Sequence, residues 1–371
     1  MKMKIRAAVT RAPKAPASLE ELRLEEPRSK EVLVRVVATG VCHTDIAMRD
    51  QAYPVPQPIV LGHEGAGVVE AVGSAVTTLQ RGDHVVLSYD SCGVCESCLD
   101  RYPMYCREAF RRNFSGQRPD GTTSLSTGTE RIHSHFFGQS SFATWALCME
   151  ANAVKVPKDA PLELLGPLGC GIQTGAGAVI NALRVQAGDR FAVFGTGPVG
   201  LSAVMAARLV GASMIIAIDL HESRLETARS VGATHTIMSA NADPVAKIME
   251  LTGSAGVNVA LDTTGIPSVV RQAVGILAVR GICGIVGASP IGTQLTLDAV
   301  QLMTGGRQVR GIIGGESIPK LFIPKLLDLY SQGRFPFDRL VKFYDFNLFN
   351  EAIADSESGR VIKAIIRMCQ V

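Results

Sequence analysis

The apolar and polar positions of this 371-residue chain fall into two regimes. In the first, Arg6–Val9 and Glu31–Val37 mix strict alternation with short apolar runs, and Gly67–Gly73 and Asp83–Leu87 repeat the pattern. This predicts the short strands of a β-rich domain. A polar, glycine-bearing excursion follows from Phe110 to Gln139, with Asp120-Gly121-Thr122 as a turn. From Arg190 the period changes. Phe191–Phe194 is a continuous apolar run, the mark of a strand covered on both faces, and an apolar helix continues to about Leu209. Strand Met214–Ile218, helix Glu222–Val231, strand His235–Met238, a helix near Pro244–Leu251 and strands Val257–Leu261 and Ile282–Val286 extend the alternation. Such alternation builds a doubly wound sheet. From about Gly311 the chain returns to mixed character, with a helix over Lys320–Tyr330 that is expected to lead back to the first domain.

The length exceeds what one core serves, so two domains are expected. Lys plus Arg exceeds Asp plus Glu by only 3 and the charges are spread, which argues against a nucleic-acid surface or a polybasic membrane tether. No apolar run approaches the roughly 18 residues of a membrane span, and Met1–Arg6 has no apolar signal core, so a cytoplasmic protein is expected. Nine cysteines, an odd number without a secretory signal, point to reduced thiols and metal ligands.

Four of them, Cys92, Cys95, Cys98 and Cys106, are spaced closely enough to close a tetrahedron around zinc with no open position, which would shape a lobe over about residues 90–108 and do no chemistry. The alternative is a set of buried free thiols. A second set is dispersed: Cys42 in Val41-Cys42-His43-Thr44-Asp45, His63 in Gly62-His63-Glu64 21 residues later, and Cys170. Two thiolates and an imidazole leave a fourth zinc position open, which distinguishes a catalytic from a structural site. Gly195-Thr196-Gly197-Pro198-Val199-Gly200 lies between a predicted strand and helix, and Asp219 comes 19 residues after its last glycine. Glycines here let the backbone approach a pyrophosphate at the helix N-terminus. Asp219 would accept from the adenosine ribose and repel a 2′-phosphate, so NAD is the expected cofactor. His84, His133, His135, His221 and His235 are read as structural, and Cys148, Cys283 and Cys369 as spare thiols.

In order and spacing, Cys42-His43-Thr44-Asp45, Gly62-His63-Glu64-Gly65, the four-cysteine lobe and Gly195–Gly200 resemble the medium-chain zinc-dependent alcohol dehydrogenases. Val85–Tyr89 and Gly166–Gly175 are similar to the aryl-alcohol (benzyl-alcohol) branch. The two-cysteine, one-histidine set is also the general example of catalytic zinc in that class. The resemblance implies an α/β fold: a Rossmann doubly wound domain over 172–312 and a β-rich, GroES-like catalytic domain over 1–171, completed by 313–371. It implies two Zn2+ and NAD per chain, and oxidation of a primary aryl or allylic alcohol to the aldehyde.

By the same resemblance Asp45 hydrogen-bonds His63, Glu64 lies behind the metal, and Thr44 takes the alcohol proton toward the nicotinamide ribose. His43 and Lys363 would contact the pyrophosphate and Arg224 the adenosine ribose, while Thr174, Val199 and Val286 pack on the nicotinamide. Tyr53, Val55, Tyr89, Phe136 and Phe137 would line the substrate pocket, although the residues alone leave Phe136 and Phe137 equally open to a place in the core. Many relatives end the proton relay on a histidine where this chain has Ala47, so the relay must pass to water or to another base. The family assembles as homodimers and homotetramers. Three other readings remain open: oxidation of S-(hydroxymethyl)glutathione, whose enzymes carry acidic residues where Gln51–Pro58 has none, a broad-range primary alcohol dehydrogenase, and a non-catalytic, zinc-stabilised NAD-binding structural or sensor protein.

Overall fold

The computed structural model describes residues 3–368; Cys369 lies outside the described residues. Two compact units emerge. The first takes the chain up to Cys170, then Ile318–Lys325 and the segment from Val341, and the second takes Gly171–Ser317 and Leu326–Leu340. The tail expected as one returning block over 313–371 is thus divided, because Leu326–Leu340 packs with the second unit.

In the first unit, Met3–Thr10 pairs antiparallel with Ser18–Leu24 and with Ile59–Val60, and the hairpin Leu125–Ser126 and Arg131–Ile132 extends that sheet. A second, seven-stranded sheet runs in the order Ala153–Val156, His84–Leu87, Gly65–Val72, Glu31–Gly40, Lys363–Arg367, Val341–Asp345, with Trp145–Met149 paired to Glu31–Gly40. The mixture of alternation and apolar runs reflects this: strand Glu31–Gly40 is covered along most of its length, and Val32, Val34 and Val36 lie in the core. The last strand returns Lys363 beside this sheet, with Ile365 opposite Gly40.

The second unit holds a six-stranded parallel sheet in the order His235–Met238, Met214–Asp219, Arg190–Phe194, Val257–Asp262, Leu277–Ile285, Gln308–Gly311. Numbered along the chain this is 3-2-1-4-5-6, with the order reversing beside Arg190–Phe194, where doubly wound sheets bind ligands. Helices Pro198–Leu209, Glu222–Val231 and Pro244–Leu251 fall where the pattern predicts them. Helices Gly171–Gly177 and Pro267–Gly275 and strand Gln308–Gly311 were not expected. Gly171–Gly177 contains three glycines, poor helix formers that tertiary packing overrides.

The excursion Phe110–Gln139 is anchored by Arg118, 4% exposed, whose guanidinium donates to Glu31 at 2.6 and 3.1 Å and to Glu25 at 2.9 Å. His135 is buried in the same region, with left-handed backbone at φ 62°, and burial together with the Arg118 charge pushes its pKa down to about 4. Below the ordinary value of about 6.5 the unfolded chain takes up a proton that the folded chain refuses, so this contribution is complete above pH 6.5 and is lost progressively toward pH 4. Between pH 7 and 5 the loss should be about 2 kcal/mol. Asn tolerates the left-handed backbone, so His135→Asn is expected to flatten this window in urea titrations. The loss below about pH 4 that follows from Glu31, held low by Arg118 against the cost of burial, should persist in the variant. An equal pH 7 to 5 loss in both proteins would rule out His135 as the cause.

Candidate active site

Within the first unit, helix His43–Arg49 begins directly after Cys42, and Asp45 closes its first turn by accepting from the Cys42 N–H at 3.0 Å. The same carboxylate accepts from Gly62 N–H at 3.1 Å and lies 2.8 Å from His63 Nδ1, so one buried side chain ties the two loops together and sets the imidazole. His63 Nε2 is left facing Cys170 Sγ at 3.2 Å. Donor atoms of Cys42, of the neighbours His63 and Glu64, and of Cys170, three stretches far apart in sequence, all lie within 4.8 Å of one another. Thr44 Oγ1 stands 3.6 Å from Cys42 Sγ, and His43 is exposed at the start of its helix.

The charges in this cluster suit a metal. The hydrogen bond from Cys170, reinforced by His63, holds the Cys42 thiol well below its ordinary value despite burial. Burial opposes a charge on His63, yet Asp45 and Cys42 outweigh it and raise the imidazole. Two thiols and an imidazole in this environment form a donor set that a divalent cation would occupy by displacing the ligand protons.

Lys363 requires a correction. It is 1% exposed, and its ammonium donates to Val41 O at 2.8 Å and to Glu64 Oε1 and Oε2 at 3.0 and 2.9 Å. In this structure the ammonium is therefore engaged as the buried counter-ion of Glu64. Burial alone would lower its pKa, but the Glu64 charge raises it. The pair keeps the Glu64 carboxylate anchored beside the ligand cluster. Sequence reasoning could not find it, since the partners are 299 positions apart.

In the lobe, Cys92 and Cys98 sulfurs are 3.9 Å apart, Cys95 and Cys98 3.5 Å, and Cys95 and Cys106 3.9 Å. Zinc–sulfur bonds of about 2.3 Å in a tetrahedron require sulfurs about 3.8 Å apart. The four thiols therefore fit one zinc and are too far apart for disulfides. These two clusters are the only metal-competent groups of His, Cys, Asp or Glu among the described residues. Cys148 and Cys283 are buried, with thiols pushed up by burial.

Around His63 the sequence-selected aromatics separate. Phe137 stacks on the imidazole, centroids 4.4 Å apart and 22° from parallel. Phe136 meets His63 edge-on at 5.6 Å but has no exposed surface, so in this structure it is core and not pocket wall. Val55 is likewise a core member at 6% exposure, whereas Tyr53 and Phe137 are only partly buried against that core and Tyr89 is half-buried. Gln139, for which the pattern offers no signal, bonds the backbone on both sides of Glu64.

In the second unit, Gly195 takes φ +89°, and a Cβ at Gly200 would stand 1.9 Å from Gly195 O. The turn therefore closes tightly onto the N-terminus of helix Pro198–Leu209, which has no side-chain cap. Asp219 ends its strand at 7% exposure, accepting from Thr196 N–H and hydroxyl at 2.6 and 2.8 Å and from Leu220 and His221 N–H. Arg224 lies 3.9 Å from it. Gly197, as N-cap, and Val199 belong to this turn. Thr174 sits in a helix packed on Val199, with a Cβ at Gly175 falling 2.0 Å from Val199 O. Val286 follows strand Leu277–Ile285 and donates its N–H to Asp262 O.

Residues 28–158 match the alcohol dehydrogenase GroES-like domain and residues 198–332 the zinc-binding dehydrogenase domain. The chain belongs to the zinc-dependent alcohol dehydrogenases of the medium-chain family. This alcohol dehydrogenase is 46% identical over 362 residues to geraniol dehydrogenase of Castellaniella defragrans, covering 97% of this chain and 96% of that protein. It is 34% identical over 369 residues to the class-3 alcohol dehydrogenase of Myxine glutinosa, covering 98% and 97%. The crystal structure of benzyl alcohol dehydrogenase from Acinetobacter calcoaceticus superposes with a TM-score of 0.96 at 53% identity, over 99% of this chain and 100% of that one. In the described residues of the dehydrogenase no helix is long and apolar enough to cross a membrane.

Proposed function

We propose that this dehydrogenase oxidises primary aryl or allylic alcohols to aldehydes, reversibly, with NAD as hydride acceptor. Phe137 carries the reading: a partly exposed aromatic ring, stacked on the His63 imidazole next to the Cys42, His63 and Cys170 donors, would give a flat, unsaturated substituent an aromatic neighbour. The similarity to benzyl alcohol and geraniol dehydrogenases points the same way. Cys42, His63 and Cys170 would hold the catalytic zinc, and Cys92, Cys95, Cys98 and Cys106 a structural one. Zinc when bound supplies Lewis acidity that lowers the pKa of an alcohol hydroxyl.

The chain's own groups do the rest. Asp45 fixes the ring of His63 through Nδ1, and Thr44, beside Cys42, would take the substrate hydroxyl proton at Oγ1 as it passes its own proton toward the nicotinamide ribose, from which it leaves to water. Lys363 neutralises Glu64 so that the carboxylate does not compete for the open corner. Asp219 and the Gly195–Gly200 turn bind the adenosine half of NAD, Arg224 flanks the ribose, and Thr174, Val199 and Val286 support the nicotinamide.

A spectrophotometric panel tests this reading. Benzyl alcohol and geraniol are expected to exceed ethanol and S-(hydroxymethyl)glutathione in kcat/KM. Like-charge contact costs several kcal/mol, so NAD should be preferred over NADP by about 100-fold or more. Preference for the glutathione adduct would favour S-(hydroxymethyl)glutathione dehydrogenase activity, and no NADH formation with any alcohol would favour the non-catalytic reading.

A further inference from the structure

The loops that carry His63 and Cys170 are joined by two buried side chains with no task so far. Gln139 is 1% exposed; its Oε1 accepts from Gly65 N–H at 3.1 Å, and its Nε2 donates to His63 O at 3.0 Å and Ser88 O at 3.2 Å. Ser88, fully buried, donates from its hydroxyl to Gly169 O at 2.7 Å, in the residue before Cys170. A Cβ at Gly169 would fall 2.0 Å from Leu87 O, so the Cys170 loop rests directly on the strand that ends at Leu87. A continuous run of buried hydrogen bonds therefore links the backbone on both sides of Glu64 to the backbone before Cys170.

The turn that presents Gln139 is itself held in an unfavourable shape. His135, Phe137 and Ser140 have φ of 62°, 49° and 53°, a left-handed region that such side chains rarely adopt. Asn152 Nδ2 bonds Phe137 O and Gly138 O, and Ser140 Oγ bonds Val60 O, to keep it there. Strain of this kind persists only where surrounding structure over-determines it, and it concentrates at functional sites. Here it yields two contacts at once: Phe137 on the His63 ring and Gln139 on the His63 main chain.

We propose that Gln139 is a positioning residue that sets the spacing of the His63 and Cys170 metal ligands, with Ser88 as its extension to the Cys170 loop. The proposal rests on the reading of Cys42, His63 and Cys170 as the catalytic metal site. Glutamine suits the task because one side-chain end offers an acceptor for Gly65 N–H and donors for two carbonyls. Glutamate lacks the donors and methionine has the volume without the bonds. Groups that orient metal ligands typically change metal affinity or activity by about 10–100-fold when removed.

The test uses the holoenzyme and its cobalt(II)-substituted form. Gln139→Met is expected to release the site's metal to a chelator about 10–100-fold faster than the parent and to shift the cobalt ligand-field bands, while lobe metal is retained. Ser88→Ala should act in the same direction more weakly, and the double variant should be no worse than Gln139→Met. Unchanged release and bands in Gln139→Met overturn the proposal, because a side chain that merely fills space is replaced by methionine without effect on the metal. If Gln139→Met does not fold, Ser88→Ala decides on the same two readouts. His63→Ala serves as the control: full metal content in that variant would bring down the ligand reading itself, whereas loss of one metal per chain together with an unaffected Gln139→Met protein would overturn only the positioning role.

Discussion

A Cys170→Ser protein is expected to lose turnover by about 10³-fold or more while binding NADH within a few-fold of the parent. Serine keeps the size of the side chain but replaces a soft thiolate with a neutral hydroxyl, a poor zinc ligand beside His63 Nε2 3.2 Å away. Bound zinc should fall by one per chain, leaving the lobe cysteines loaded. The nucleotide groups, Gly195 to Gly200 and Asp219, belong to the other compact unit and are bonded within it, so NADH fluorescence titration should detect little change. Full turnover in a Cys170→Ser protein shown by metal analysis to lack the catalytic zinc would refute the proposed chemistry.

The second large effect concerns Lys363. Replacing it with methionine leaves the Glu64 carboxylate, 0% exposed, without its ammonium partner. Stranding one member of a buried pair costs about 3–5 kcal/mol, which for a unit of this size lowers Tm by roughly 10 °C. The double variant Lys363→Met, Glu64→Gln should recover most of that loss, because the stranded charge is gone. A double-mutant cycle separates this from lost packing: strong non-additivity supports the pair, and strict additivity would show that Lys363 contributes only volume. Activity adds a second signature. The freed carboxylate already lies within 4.8 Å of the Cys42, His63 and Cys170 donors, so the single variant should be slowed more than its stability loss explains.

Much of the second unit was legible because its signals are local. A continuous apolar run such as Phe191–Phe194, a glycine turn and an acid at the end of the next strand all sit within one βαβ stretch, and periodicity reports each of them. The lobe cysteines were legible for the same reason, since four ligands within fifteen residues leave few geometries open. Helix Gly171–Gly177 was not, because its composition opposes helix and only packing against Val199 decides it. Lys363 misled for a related reason. A lysine near the C-terminus carries no mark of its partner, and what resemblance suggested as a phosphate contact is a buried counter-ion.

The sequence by itself determined the kinds of chemistry present: which residues can bind zinc, where a nucleotide turn forms, and that two domains are needed, because residue type, spacing and hydrophobic period are properties of the chain alone. Only the tertiary structure decided which distant groups meet. Phe136 went to the core while Phe137 turned its face to His63, Lys363 closed on Glu64, and Gln139 together with Ser88 linked the loops of His63 and Cys170. Each outcome depends on burial and hydrogen-bond geometry between segments far apart in sequence, and those quantities exist only once the chain has folded.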